Sequence, residues 1–191
     1  MSIFCYDLDE TVVKGDIITQ ASRILISEGK IDKVYTNRNV IDWELNGLPD
    51  IVKAKTRELF KIPKYAVHSK IPIPGAEITL NYIYNKSHDI FALTSRPPEC
   101  HDDTITHINK TFPDIFTDVI CVDKSSKLHA LASLDPDYYF DDNISFCEEA
   151  RLLGIKNIYL ISNEYTPWNH TLVHPDIKRI KNIAFFPINL I

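Results

Sequence analysis

No apolar run in the sequence approaches the ~20 residues that a membrane-crossing helix needs, so no membrane partner is expected. Lysine and arginine nowhere form a run, and the formal net charge is −5. A surface for nucleic acid or anionic lipid is built from basic patches, so this balance argues against a nucleic-acid partner. The four cysteines, Cys5, Cys100, Cys121 and Cys147, include no C-x-x-C pair. Cys5 and Cys121 fall in apolar stretches that read as buried strands, and all four read as reduced thiols of a cytoplasmic protein. Internal repeats and runs of hairpins are also absent. The first residues read directly as a core strand, so no signal peptide is expected.

What is present suits one domain with a small insertion: 191 residues, of which 45% are hydrophobic. Such a length buries a core without staples. The most informative stretch is the first. Ile3 to Tyr6 are apolar and lead straight into Asp7 and Asp9. That reads as a buried parallel strand with two carboxylates at its C-terminal end. In open α/β sheets the ligand site lies just outside that end. The two acids are two residues apart, so an extended chain points them the same way. Their repulsion is tolerable with a cation between them, or with one acid hydrogen-bonded or protonated.

Downstream, Asp16 caps a helix from Ile17 to Glu28 that Gly29 stops, with Gly15 available for an unusual backbone angle. A second helical stretch runs from about Asn39 to Phe60, interrupted at Gly47-Leu48-Pro49, before Pro63, Pro72 and Pro74 break the chain. Residues 15–72 therefore read as a helical insertion, with Tyr35 and Trp43 in its core. Residues 1–14 and 73–191 form an α/β core domain. Further strands are expected at Asp89 to Leu93, Val119 to Val122, Tyr138 to Phe140, Ile158 to Ile161 and, sixth, Ile183 to Phe186. Helices are expected from Gly75 to Tyr84, up to about Thr111, from Lys127 to Leu134 and from about Ser145 to Leu153. Strands that alternate with helices predict a parallel, Rossmann-like three-layer sandwich with right-handed crossovers.

Chemistry-bearing residues collect at the strand ends. The first strand supplies Asp7 and Asp9, the second Thr94 and Ser95, and the fourth Asp141 and Asp142. The helix after the third strand supplies Lys127 or, alternatively, Lys124. A nucleophilic carboxylate, a second acid for proton transfer and a hard cation against phosphate charge are what phosphoryl transfer requires. Arg96, before two prolines, either touches the substrate or pairs with a nearby acid. His101-Asp102-Asp103 reads as the acidic first turn of a helix rather than, with His107, a metal cluster. Pro167-Trp168-Asn169 is a candidate rim loop, and His170 a surface residue.

Asp7-Leu8-Asp9-Glu10-Thr11, Thr94, a helix-start lysine and Phe140-Asp141-Asp142, in that order, resemble the four motifs of the haloacid-dehalogenase-like hydrolases. The resemblance implies that Asp7 forms an aspartyl-phosphate, and that Asp9 serves as acid and then base. It assigns phosphate oxygens to Thr94, with Thr11, Ser95 and Arg96 as further phosphate or substrate contacts. It implies that Lys127, or Lys124, holds charge together and that Asp7, Asp141 or Asp142, and the Asp9 carbonyl bind Mg2+. The insertion corresponds to a C1-type helical cap, which implies a small phosphorylated substrate. Asp141-Asp142 and Thr94-Ser95 look like the 5′(3′)-deoxyribonucleotidase branch, and Gly15-Asp16 like the phosphoserine-phosphatase branch. The expected activity is that of a Mg2+-dependent phosphomonoesterase, favouring a (deoxy)nucleotide 5′-monophosphate. A polynucleotide 3′-phosphatase or a catalytically silent binding module on the same scaffold are the alternatives. Glu10 departs from the glycine that many members carry there, which narrows how the loop packs.

Overall fold

The structure is a computed structural model that describes residues 1–42, 44–163, 166, 169 and 172–190. Trp43, Pro167, Trp168 and His170 lie outside the described residues. In chain order the elements begin with β1 (Ile3–Tyr6), β2 (Val13–Lys14), α1 (Ile17–Ser27), α2 (Asp50–Leu59), α3 (Pro63–Ala66) and β3 (Ile71–Pro72). They continue with α4 (Ala76–Asn85), β4 (Asp89–Thr94), α5 (His101–Thr111), β5 (Asp118–Cys121) and α6 (Lys127–Leu134). Last come β6 (Tyr138–Asp141), α7 (Ile144–Leu152), β7 (Asn157–Ile161) and β8 (Ile177–Ile180).

Six strands form one sheet in the order β5-β4-β1-β6-β7-β8, every neighbouring pair parallel. The order reverses at β1, which has β4 on one side and β6 on the other. Crossovers leave that point in opposite directions, so a crevice opens above the carboxyl end of β1. Alternation along β1 divides the core into two faces. Phe4 and Tyr6 pack with Leu80 and Ile83 of α4 and Ile108 of α5. Cys5 packs on the other face with Leu131 of α6 and Cys147 and Ala150 of α7. The result is a three-layer sandwich. Leu80 is fully buried, so Leu80→Ala should cost about 2–5 kcal/mol through lost contacts and a residual cavity. Urea unfolding measures this, and a loss below about 1 kcal/mol would contradict the packing.

Residues between β1 and α4 carry their own apolar cluster, with Ile17, Ile18, Ala21 and Leu25 of α1 against Val52 and Leu59 of α2. Asp16 caps α1 by accepting from the Thr19 amide at 3.0 Å. The expected helix from Asn39 to Phe60 is shorter: α2 starts only at Asp50, after Pro49, and residues 37–39 form a 3-10 turn. A proline cannot donate into the ladder of a preceding turn, so the helix begins after it. Both junctions of this segment meet in the antiparallel pair β2–β3, with Lys14 opposite Ile71.

The sixth strand is Ile177–Ile180, not Ile183–Phe186. Ile183–Phe185 is a 3-10 turn capped by Asn182, whose side chain accepts from Ala184 at 2.9 Å. Phe186 instead covers the sheet, edge-on to Phe140 and Tyr159 at 5.3 and 5.2 Å. The apolar character of that stretch serves packing rather than strand pairing.

Candidate active site

The loop after β1 turns at once. Leu8, fully buried, offers its carbonyl to the amides of Thr11, Val12 and Val13, and the Asp7 amide donates to the Phe140 carbonyl at 2.8 Å. Glu10 sits in the left-handed region at φ 58, a conformation that costs a residue with a Cβ roughly 1–2 kcal/mol and glycine little. Gly15 does not take a positive φ, so the unusual angle belongs to Glu10 instead. Because the chain bends here, Asp7 and Asp9 do not share partners as an extended strand would suggest.

Asp7 faces the end of β6. Lys127 Nζ donates to Asp7 Oδ1 at 2.5 Å and to Asp141 Oδ2 at 2.8 Å. Lys127 opens α6 and is buried, 4.6 Å from the centre of the Phe146 ring. Asp141 also accepts from the Tyr139 hydroxyl and, at 2.7 Å, from the Asn143 amide. Asn143 accepts from Ser145 and so starts α7 beside the site. Asn169 donates at 2.5 Å to the Asp142 carbonyl and at 2.7 Å to the Ile161 carbonyl, tying the Asp142 backbone to the end of β7.

Asp7, Asp141 and Asp142 are buried, and one carboxylate oxygen from each lies within 4.8 Å of the other two. Among the described residues this is the one such group of three or more metal-ligating side chains. Burial pushes the Asp7 carboxyl up to about 7; Lys127 opposes this, while Asp141 and Asp9 reinforce it. Asp142 is raised well above its ordinary value by burial and then by Asp7 and Asp141. Burial works against the Lys127 charge, but Asp141 and Asp7 overcome it and hold the ammonium protonated. Three buried acids share one lysine, so ionising all three at once would leave excess negative charge. A hard divalent cation fits that all-oxygen donor set.

The Asp9 carboxylate turns elsewhere. Arg96 grips it with two bonds, Nε to Oδ2 at 2.8 Å and Nη2 to Oδ1 at 3.0 Å, and Lys70 Nζ lies 3.0 Å from Oδ1. Burial alone would raise Asp9, but Arg96 and Lys70 outweigh it and hold the carboxyl well below the usual range. Arg96 therefore pairs with an acid, and Lys70 is a site residue that sequence reasoning missed. Nothing local marked it, since it is a lone lysine before β3. Asn143 was findable as the residue after Asp141-Asp142 that caps a helix.

Asp7, Asp9, Lys70, Arg96, Lys127, Asp141, Asp142 and Asn143 line one cavity of 470 Å³, together with Thr94, Ser95 and Lys124 and, from the segment before α4, Ile17, Ile18, Val40, Leu45, Arg57 and Phe60. Lys127 rather than Lys124 contacts the carboxylates; Lys124 is exposed on the 3-10 turn Lys124–Ser126. Thr11 is fully buried in the loop and is not among the lining residues. His101 Nε2 donates to the Arg96 carbonyl at 2.7 Å, and His68 pairs with Asp103 at 2.7 Å.

No family model and no curated protein matches the sequence. Solved structures do match in three dimensions. A haloacid-dehalogenase-like family hydrolase from Streptococcus pneumoniae superposes with a TM-score of 0.64 at 13% identity, covering 94% of this chain and 93% of that one. CbbY from Rhodobacter sphaeroides, solved in complex with phosphate, gives 0.60 at 14% identity, over 98% and 97% of the two chains. A phosphatase of the same superfamily from Thermococcus onnurineus gives 0.56 at 16% identity, over 96% and 94%. Likeness at this level of identity speaks of architecture: the chain has the fold of the haloacid-dehalogenase-like hydrolases.

Proposed function

We propose that the chain is a Mg2+-dependent phosphomonoesterase for a small phosphorylated metabolite, with a (deoxy)nucleotide 5′-monophosphate as favoured substrate. The observation that carries this reading is the buried set of Asp7, Asp141, Asp142 and Lys127 lining one cavity with the insertion. In this reading Asp7 attacks phosphorus and becomes the aspartyl-phosphate. Asp9, held ionised here by Arg96 and Lys70, would have to lose one of those cations and take up a proton before it protonates the leaving oxygen; it would then take a proton from the water that attacks the intermediate. Thr94 and Ser95 bind phosphate oxygens. Lys127 keeps Asp7 in place against Asp141. Mg2+, held by Asp7, Asp141 and Asp142, would neutralise charge on the phosphate oxygens. Residues 15–72 act as a cap that excludes water from the reacting groups. Ile17, Val40, Leu45 and Phe60 supply apolar surface for a ring-sized leaving group, which supports a nucleoside.

The test is a turnover screen with Mg2+ over nucleoside monophosphates, sugar phosphates, amino-acid phosphates and an aryl phosphate. CbbY was also crystallised with xylulose-1,5-bisphosphate, which makes sugar bisphosphates the informative competitor class. Aryl phosphate hydrolysis should vanish in excess chelator and return with Mg2+; full activity in chelator would exclude the metal-dependent reading. Burial raises Asp7 to about 7, so protons compete with the ion. The Mg2+ concentration for half-maximal activity should therefore rise as pH falls below about 7.

A further inference from the structure

The Asp9 carboxylate carries one more cation than its charge requires. Arg96 alone occupies both of its oxygens, as a planar guanidinium does in a two-bond pair. That arginine is itself braced: Nη1 donates to Thr104 Oγ1 at 3.1 Å, and its carbonyl accepts from His101, both residues of α5. Lys70 adds a second ammonium 3.0 Å from Oδ1, with its side chain only 3% exposed. Desolvating a lysine is costly unless partners repay it; Lys70 shares the Asp9 carboxylate with Arg96 and also acts on the buried Glu10 carboxyl, so it answers both acids of the loop after β1.

Its position is also tightly built. Lys70 directly precedes β3, and the β3 residue Ile71 pairs with Lys14 of β2. Gly15, which follows Lys14, lies against the lysine stem: a Cβ there would be 2.6 Å from Lys70 Cδ. Asp9 forms its own bridge to Val13 of β2. Both junctions of the insertion thus meet at Asp9, one on its backbone and one on its carboxylate, and the lysine reaches that carboxylate past Gly15, where a side chain would press on its stem.

We propose that Lys70 is a positioning residue, which sets the place of the Asp9 carboxylate relative to the leaving group from the exit of the insertion. This rests on the role of Asp9 in the proposed phosphatase. Displacement of a reacting group by about 1 Å costs on the order of 10²-fold in rate. Lys70→Met should therefore lower kcat by about that factor, with KM little changed.

A double-mutant cycle with Asp9→Asn tests this. If Lys70 acts through Asp9, Lys70→Met should change the residual kcat of Asp9→Asn by less than about twofold, because neighbours in one network are not additive. Gly15→Ala pushes on the lysine stem without removing its charge and runs in the same cycle, which covers the case of a poorly folded Lys70→Met. Additive losses in the cycle, or a raised KM with kcat intact, would overturn the proposal; the latter would make Lys70 a substrate contact. Wild-type turnover of acetyl phosphate, lost in Asp7→Asn, establishes the underlying site separately. A wild type inactive on every phosphate overturns both readings together.

Discussion

Asp7→Asn is expected to reduce turnover of every phosphate substrate to the uncatalysed level, with no phosphoenzyme formed. An amide lacks both the charge and the nucleophilicity to form an acyl phosphate. It also removes one of the three carboxylates of the buried cluster and one of the two acids that Lys127 bridges. Asp9→Asn should fail differently. Its partners are Arg96 and Lys70, and the Asp7–Lys127–Asp141 set is untouched. Proton transfer contributes roughly 10²–10⁴-fold, so steady-state turnover should drop by that order, most for alkyl phosphates. An aryl phosphate leaves with little need of a proton, so phosphorylation of Asp7 continues while hydrolysis of the intermediate stalls. Rapid-quench kinetics with intact-mass detection should show a burst in Asp9→Asn and none in Asp7→Asn. Unchanged turnover in both variants would remove this site from consideration and leave a binding module on the same fold.

Lys127→Met should produce a large loss of stability. The methionine keeps most of the stem and the contact with Phe146 but removes the ammonium that bridges Asp7 and Asp141. Both carboxylates are buried, with Asp142 beside them. Removing one partner of a buried ion pair costs about 3–5 kcal/mol, because the remaining charge is left uncompensated in a dry site. In chelator, denaturant unfolding should register a loss of that size. Mg2+ should restore part of it, since an ion that binds the folded chain stabilises it by mass action. Turnover should stay low even in saturating Mg2+, because Asp7 has lost the group that fixes its direction. An unchanged unfolding midpoint in chelator would mean that Lys127 does not balance these acids.

The architecture was legible because its signals are local. An apolar strand running into Asp7 and helices at regular apolar spacing could be read along the chain. So could strands that recur between helices, and the Asp7, Thr94, Lys127 and Asp141 stretches in their order. Local reading failed where a local property has two uses. Ile183 to Phe186 is apolar enough for a strand, yet it is a 3-10 turn whose Phe186 lids the sheet. Burial is encoded in side chains, while strand pairing also needs a neighbour with free backbone groups, and β7 already has Ile177–Ile180. The bend after Tyr6 separated Asp7 from Asp9, although their spacing suggested a shared direction. Helix phase and packing, not position in the sequence, brought Lys127 rather than Lys124 to the carboxylates. By itself the sequence determined which chemistry the strand ends could carry. Which acid faces which cation, including the meeting of Lys70 and Arg96 on Asp9, was decided only in three dimensions. Those partners come from distant segments that share no pattern, and only the reversal of strand order at β1 and the β2–β3 pairing bring them within hydrogen-bonding distance.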